Sequence, residues 1–583
     1  MPPRTIVGGS GSSGSPSAGP PEVPRPAYSL TLSSGAVFAA ALLVQLIGVI
    51  GTIFLYKHIG ISTVGQALIG TAQLFLLIGS SINGIGDLRL GTSYTYFLAR
   101  GRSARETTAT YLAARTGMVA AAGVVLFGIA PLSIDHHTIA SSAAELESLG
   151  IFLTLPVLWS LSTVYNQMYI GLGNSLKAQY PGLVEAVVRL PVLIYVSYSM
   201  KSLEGITIAY AVGAGASAVY CLPGLLPRLG ALSRAEASYL FRFAWPLMGS
   251  LMLNYLVTNM VPLIVDASLG ATQLSVFLAA NGWRILVLSL PAAVTTPLFP
   301  YLAGLHRQER FESLRSATWQ ALRYSAMLLV PGVVALVTYR YEFLNVFANH
   351  LYAKPGALPL ALLVVGAIPL ALSQIIQSSI NAIGRRRLEL YITGVQVSVL
   401  LGAVALLLTG WRIGPWTLQL GLVNAAVAVL LSSVAALALN TYFMERLIRV
   451  HILPRSIVRI SFSAAVSFAS LSLLNRTHFF PVRSGVELLA AVVLGFVVYF
   501  VVLAAIGELA REDVRRIGAS LGLPPRVYGP IARICRVAEP LDLTPIDHLL
   551  APGFRSTELP ESFTGTTELP EIASRETGPG EEP

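Results

Sequence analysis

The chain has 583 residues, of which 54% are hydrophobic and only 12% are charged, and its mean hydropathy is +0.68. Soluble domains carry about 25% charged residues, so an ordinary soluble protein is excluded. The net charge of +10 is therefore attributed to loops between membrane spans and not to binding of nucleic acid.

Apolar segments of about 18 residues or more recur along most of the chain, and this length is typical of a transmembrane helix. The sequence predicts an all-α polytopic membrane protein with about fourteen transmembrane helices. The segment before the first helix is rich in Gly, Ser and Pro and lacks the pattern of a cleaved signal peptide, so we expect a flexible tail. The predicted spans are about 33–56, 64–97, 108–131, 149–171, 179–200, 205–226, 243–265, 273–304, 318–339, 356–383, 389–410, 415–441, 457–474 and 485–507.

Charges in the loops predict the orientation. With the N-terminus inside, the inner loops hold most of the Lys and Arg, including the run Arg385–Arg387, whereas the outer loop at 132–148 has only acidic charges. Both termini are then cytoplasmic and the protein lies in the cell membrane. We expect the tail after about residue 509 to begin with amphipathic segments and to end in a disordered stretch rich in Glu, Thr and Pro.

The two cysteines do not predict a disulfide or a metal site. Cys221 falls in a predicted span and Cys535 in the tail, and the sequence has no Cys/His spacing of a metal site.

An internal repeat divides the chain. The segment 59–65 (IGISTVG) matches 269–275 (LGATQLS), and 170–174 matches 381–385, both at a separation of about 210 residues or six spans. Because six is an even number, the two halves have the same topology. The expected domains are a disordered cytoplasmic tail at 1–28, an N-terminal six-helix lobe at 29–228, a C-terminal six-helix lobe at 229–445, transmembrane helices 13 and 14 at 446–508, and a cytoplasmic tail at 509–583.

The order of several short motifs is distinctive. Gly60 and Gly65 precede the second span, and the sequence GIGD at 84–87 lies late in it; in the second half, PLFPYLAGLHRQ at 297–308 is followed by QSSINAIGR at 377–385. In this order the chain resembles the polysaccharide flippases of the multidrug/oligosaccharidyl-lipid/polysaccharide exporter (MOP) superfamily, over about residues 30–505.

The resemblance implies a transporter and not an enzyme. It implies two parallel lobes that move a lipid-diphosphate-linked oligosaccharide from the inner to the outer leaflet by alternating access, without a cofactor. The implied partners are that lipid-linked oligosaccharide, membrane lipid and polysaccharide-assembly enzymes, and we expect a monomer.

Arg284, in the predicted eighth span, is the first candidate for binding the diphosphate. Its planar guanidinium remains charged and can bind a phosphate through two hydrogen bonds, and a cation within a span usually faces a polar cavity. The alternative is an arginine that pairs with a carboxylate for packing. Several side-chain amides in the spans could bind sugar hydroxyls. The alternative is that they bond neighbouring helices to one another. These amides belong to Asn254, Asn259, Asn281, Gln374, Gln377 and Asn381.

Other charged residues in the spans have two interpretations. Glu185 and Arg189 are four residues apart on one helix face, either as a neutral pair or as a substrate or coupling pair. Asp87, Arg89 and Arg115 could line the cavity entrance or extend to the membrane interface. A coupling ion could use Glu185, Asp87 or Asp266, and Arg89, Arg115 and Arg189 are further substrate candidates.

Three alternative functions are less consistent with the sequence. A cation-coupled multidrug exporter of the same superfamily usually has twelve spans, so the extra pair and Arg284 favour the lipid-linked substrate. A membrane-embedded glycosyltransferase is disfavoured because the first outer loop, around Lys57 and Gly60, has no carboxylate. A nucleotide-driven pump is disfavoured because the chain has no GxxxxGK[ST] motif.

Overall fold

The structure is a computed structural model that describes residues 27–99, 103–129, 143–408, 412–413, 416–417, 421–450, 454–476 and 484–509. The predicted N-terminal tail, most of the acidic outer loop and the C-terminal tail after 509 lie outside the described residues. The described part is almost entirely helical. Its one strand pair, β1 (Arg412–Ile413) and β2 (Trp416–Thr417), is antiparallel and lies between two helices.

In the described residues, the first predicted lobe contains seven α-helices, because the second predicted span is formed by two of them. They are α1 (Ala27–His58), α2 (Thr63–Ile85), α3 (Leu90–Ala99), α4 (Ala104–Ile129), α5 (Ala143–Gly171), α6 (Tyr180–Ser199) and α7 (Leu203–Leu225).

The second predicted lobe and the appended pair follow. Their helices are α8 (Arg234–Leu269), α9 (Ala271–Arg307), α10 (Phe311–Thr338), α11 (Arg340–Phe347), α12 (His350–Ala382), α13 (Arg386–Leu408), α14 (Leu422–Ile448), α15 (Pro454–Arg476) and α16 (Gly485–Ala505).

The predicted membrane architecture is confirmed. Thirteen helices of the described part are long and apolar enough to cross a bilayer, and a shorter apolar segment, Leu42–His58, lies within α1. Together they correspond to the fourteen predicted spans. The predicted start of span twelve at 415 is too early, because β2 (Trp416–Thr417) precedes α14, which begins at Leu422. The residue limits proposed for the domains are not tested by this agreement and stay a prediction.

The second span is broken, and the prediction of one continuous helix over 64–97 is wrong. The chain leaves the helical conformation after α2, where Leu88 (φ 45°) and Arg89 (φ 60°) are left-handed, and it resumes as α3. An interruption within a span is tolerated where protein groups satisfy the released backbone atoms. Here Arg115 Nη2 donates to the Asn83 carbonyl at 3.0 Å, and the carboxylate of Asp87 accepts from Gly91 N at 3.3 Å.

The lobes meet along α2 and α9 because a glycine permits close approach. A Cβ atom at Gly70 would clash with the carbonyl of Ala271 at the start of α9. Elsewhere α3 contacts α8 through ring stacking, with Phe243 lying 4.8 Å from Tyr96 between ring centroids.

The appended pair, α15 and α16, packs on α10. The buried carboxylate of Glu508, just after α16, accepts from Arg323 Nε of α10 at 2.9 Å and from Arg459 Nη1 of α15 at 3.3 Å. Breaking a buried ion pair by removing one partner is strongly destabilising, so these contacts hold the pair against the second lobe.

Candidate functional site

Arg284 is buried and unpaired. Its side chain is on α9 with only 9% exposure, and Nε has no hydrogen-bond acceptor. Within the described ranges it has no carboxylate partner. The interpretation as an arginine paired for packing is therefore not what the structure shows. A cation in mid-span costs at least about 2.5–3.5 kcal/mol, so an unpaired one there marks a candidate site for an anion.

Asn281 lies one helical turn before Arg284 on the same side of α9 and is equally buried. Helix α8 carries the other two predicted amides, with Asn254 exposed and Asn259 half-buried. Neither Asn254 nor Asn259 has a side-chain hydrogen-bond partner among the residues that the structure describes. The amides of Asn254 and Asn259 therefore do not bond to a neighbouring helix in the described part of the chain, and they are available to bind a ligand.

A polar cluster surrounds the break in the second span. Arg115 is 1% exposed and forms an ion pair with Asp87, and its Nη2 also donates to Asn83 Oδ1 at 2.8 Å. The Tyr111 hydroxyl donates to Asp87 Oδ1 at 2.6 Å. Arg115 and Asp87 neutralise each other and bond to the ends of α2 and α3, although Arg115 Nε has no acceptor among the described residues. Their contacts are those of a structural cluster that keeps the span broken.

Arg89 lies beside this cluster and crosses to the other lobe. Its guanidinium is 3.7 Å from Glu389 Oε1 on α13, and its buried Nε has no acceptor. Glu389 Oε2 also accepts from Asn381 Nδ2 at 2.8 Å. Sequence reasoning missed Glu389 because it follows the arginine run 385–387, whose charges indicate only orientation.

The lobes are also joined at the end of the bundle predicted to be outer. Asn349 Nδ2 donates to the carbonyls of Tyr56 and Gly60, both at 3.0 Å, where α1 ends and its last carbonyls have no helical partner. Tyr352 packs against Tyr56 with ring centroids 4.8 Å apart. Sequence reasoning missed Asn349, since a loop asparagine gives no signal of a contact with a residue so distant along the chain.

Glu185 and Arg189 form the pair that their spacing predicts. Arg189 Nη1 donates to Glu185 Oε1 at 2.8 Å, and Trp159 Nε1 donates to Glu185 Oε2 at 3.2 Å. The Arg189 guanidinium also lies over the ring of Tyr210, 4.7 Å from its centroid. The pair is therefore neutral overall and held in place on two sides.

Arg189 and Tyr210 line a cavity of about 260 Å³ that both lobes enclose. The first lobe supplies α1, α6 and α7, and the second supplies α9 and α11. Arg284 is not part of the lining, whereas Gly282 is, and at about 100° per residue Arg284 lies about 200° around α9 from Gly282. The structure thus separates Arg284 from Arg189, although both are substrate candidates in the sequence.

The remaining candidates lie apart from these groups. Gln377 Nε2 donates weakly to Thr393 at 3.5 Å between α12 and α13. Asp266 is half-buried near the end of α8 and has no salt bridge in the described part of the chain. The described residues contain no group of three His, Cys, Asp or Glu that could hold a metal ion.

Comparison with known proteins agrees with this architecture. Residues 102–354 match the family described as "Polysaccharide biosynthesis protein". No curated protein matches the sequence.

Solved structures match over most of the chain. The lipid II flippase MurJ in an inward closed conformation is similar with a TM-score of 0.67 and 12% identity, covering 81% of this chain and 98% of that one. A multidrug resistance MATE family transporter of the MOP superfamily, facing inward, has a TM-score of 0.56 and 14% identity over 71% and 98%. The MATE multidrug transporter DinF-BH has a TM-score of 0.55 and 15% identity over 73% and 97%.

The chain therefore has the fold of the MOP superfamily and is a multi-pass membrane protein of that architecture. The resemblance seen in the sequence motifs is supported by the match of residues 102–354 to a family of polysaccharide biosynthesis and by the shared fold.

Proposed function

We propose that the protein is a flippase that moves a lipid-diphosphate-linked oligosaccharide from the inner to the outer leaflet by alternating access. The observation that carries the proposal is the buried, unpaired Arg284 on α9, a helix that packs against both α2 of the first lobe and α12 of the second. The fold and the polysaccharide family match over residues 102–354 support it.

In this proposal Arg284 binds the diphosphate. Its guanidinium has no carboxylate among the described residues, so an anionic ligand would supply the missing charge. The amides of Asn281, Asn254 and Asn259 are proposed to donate to phosphate or sugar oxygens of the same ligand. The polyprenyl chain would remain in the bilayer, so the protein need only carry the polar head across.

Alternating access requires contacts between the lobes that open in turn. Asn349 joins the lobes at one end, and the Arg89–Glu389 pair joins them further along the second span. Exchanging the charges, with Arg89→Glu and Glu389→Arg, tests the pair. Each single variant should speed labelling of a cysteine placed at the predicted inner end, and the double variant should return towards wild type. A double variant as open as either single variant would contradict a gating role.

The further assignments follow from the proposal. The domain limits are those predicted above, both termini are cytoplasmic, the membrane is the cell membrane, and the working unit is a monomer. The partners are the lipid-linked oligosaccharide, membrane lipid and the enzymes that assemble the polysaccharide. Cysteine labelling at each terminus in intact cells would contradict this orientation if either terminus reacted from outside.

The flippase proposal is tested by leaflet transfer of a fluorescent diphospho-polyprenyl oligosaccharide in proteoliposomes. Wild type should transfer it, Arg284→Ala should be strongly impaired, and Arg284→Lys should recover part of the rate because it restores charge without the planar fork. Arg340→Ala is the matched control, since Arg340 is exposed and donates to the Val337 carbonyl of its own chain segment. Absence of transfer by folded wild-type protein would refute the proposal and favour the multidrug exporter, which ion-driven dye efflux would then test.

A further inference from the structure

The cavity beside Arg189 is lined in part by aromatic side chains. Aromatic rings form much of its wall: Tyr56, Tyr210, Trp283 and Phe347. Trp283 is set in place by Phe343 and Phe347, whose ring centroids lie 4.9 and 5.0 Å from its own. Ligand sites are commonly built from such aromatic walls with a few polar groups that fix orientation.

Two polar groups at this cavity have no hydrogen-bond partner among the described residues. Gln45 lies near the middle of α1, and its side-chain amide makes no hydrogen bond to any described residue. The indole N–H of Trp283 likewise has no acceptor in the described part of the chain. Gln45 is exposed and Trp283 is half-buried, so both groups are accessible to a polar ligand or to water, and a hydrogen bond there would remove the cost of an unsatisfied polar group within a bilayer.

The charge at the cavity restricts the ligand. Glu185 already neutralises Arg189 at 2.8 Å, and Tyr210 covers its other face. Gln45 and Thr52 are neutral. An anion would therefore gain less electrostatic binding energy here than at Arg284. A wholly apolar ligand would leave the Gln45 amide and the Trp283 indole N–H without hydrogen bonds.

A sugar ring is both uncharged and able to form hydrogen bonds, as the cavity requires. Its hydroxyls can bond to the Gln45 amide and the Trp283 N–H, and its C–H faces can pack on the negatively polarised faces of the aromatic rings. The cavity of about 260 Å³ is small, so it suits one or two sugar units and not a whole oligosaccharide.

We propose that this cavity is a glycan subsite that takes a neutral sugar unit of the substrate, separate from the diphosphate site at Arg284. The proposal rests on the proposed function. Because α1, α6 and α7 come from one lobe and α9 and α11 from the other, movement of the lobes would take the subsite apart and release the sugar.

Binding of short-chain analogues separates the two sites. Calorimetry in detergent would compare a short polyprenyl diphosphate without sugar with the same carrier bearing one or two neutral hexoses. Gln45→Leu and Trp283→Leu should each weaken binding of the sugar-bearing carriers by about tenfold and leave the sugar-free carrier unchanged. Arg284→Ala should weaken all of them.

Two further variants control for folding and for a general effect of tryptophan. Trp283→Phe keeps an aromatic wall but lacks the indole N–H, so it should weaken binding of the sugar-bearing carriers by about threefold, less than Trp283→Leu does, and should bind the sugar-free carrier as wild type does. Trp245→Leu changes a tryptophan on α8 that is outside the cavity and should have no effect.

The outcomes distinguish the subsite from the function. Equal effects of Gln45→Leu and Trp283→Leu on carriers with and without sugar, or no effect on either, would overturn the subsite and leave the flippase standing. Failure of wild type to bind any of the carriers would overturn the proposed function, and the subsite with it.

Discussion

Arg115→Met should destabilise the protein by removing the cation that holds the second span in its broken form. Arg115 is almost completely buried and pairs with Asp87, and it also donates to the Asn83 carbonyl and side chain. Methionine has a similar length and no charge, so the variant tests the polar contacts more than the volume.

The expected loss of stability depends on the groups of Asp87 and Asn83 that the variant leaves without a partner. Removing one partner of a buried ion pair costs about 3–5 kcal/mol. The Asp87 side chain is 20% exposed and keeps hydrogen bonds from Tyr111 and Gly91, which reduces the loss. The Asn83 carbonyl loses its donor, which adds about 1 kcal/mol or more. We expect the free energy of unfolding to fall by about 3 kcal/mol in total.

Denaturant unfolding of the purified protein in detergent, followed by near-ultraviolet circular dichroism, measures this change. The double variant Asp87→Asn with Arg115→Met removes the unpaired charge and should recover about 1 kcal/mol or more of the loss. Arg340→Met, at an exposed arginine, is the control. A single Arg115 variant as stable as wild type, or a double variant no better than the single one, would refute the structural role of the pair and return Asp87 to the coupling candidates.

Two other predictions concern how the parts are held together. Gly70→Ala places a methyl group against the Ala271 carbonyl, so it should weaken the contact between α2 and α9 by about 1–3 kcal/mol. The rate at which a cysteine introduced at the predicted outer end is labelled should then rise. Gly215 has open space around it, so Gly215→Ala should change neither the stability nor the labelling rate. Glu508→Gln removes the charge that two arginines share, so it should lower the thermal unfolding midpoint and make the end of α16 more sensitive to protease. Unchanged protease resistance would contradict the anchoring role.

Much of the fold could be predicted because apolar runs of span length are a direct physical signal. The break in the second span could not. Residues 84–87 contain two glycines, which are common in transmembrane helices, and the apolar pattern continues on both sides. The charge and most of the hydrogen bonds that stabilise the break come from Arg115 and Tyr111 on another helix, α4.

The candidate site was predictable in part for the same reason. Arg284 was evident from its charge within an apolar segment, and the spacing of Glu185 and Arg189 predicted their pairing. Whether a buried charge has a partner depends on distant residues, however, so the sequence could not show that Arg284 is unpaired. Gln45 and Asn349 were missed because their significance depends on which helices lie opposite them.

The most direct test of the central claim is whether Arg284 binds the phosphates of the carrier. Leaflet transfer should be measured for wild type and Arg284→Ala with carriers that bear a diphosphate, a monophosphate or a neutral linker and the same sugar. The account predicts that Arg284→Ala impairs transfer of the diphosphate carrier most, the monophosphate carrier less and the neutral carrier little. The same loss for all of them would mean that Arg284 supports the fold or the lobe movement and does not bind phosphate, which would contradict the account.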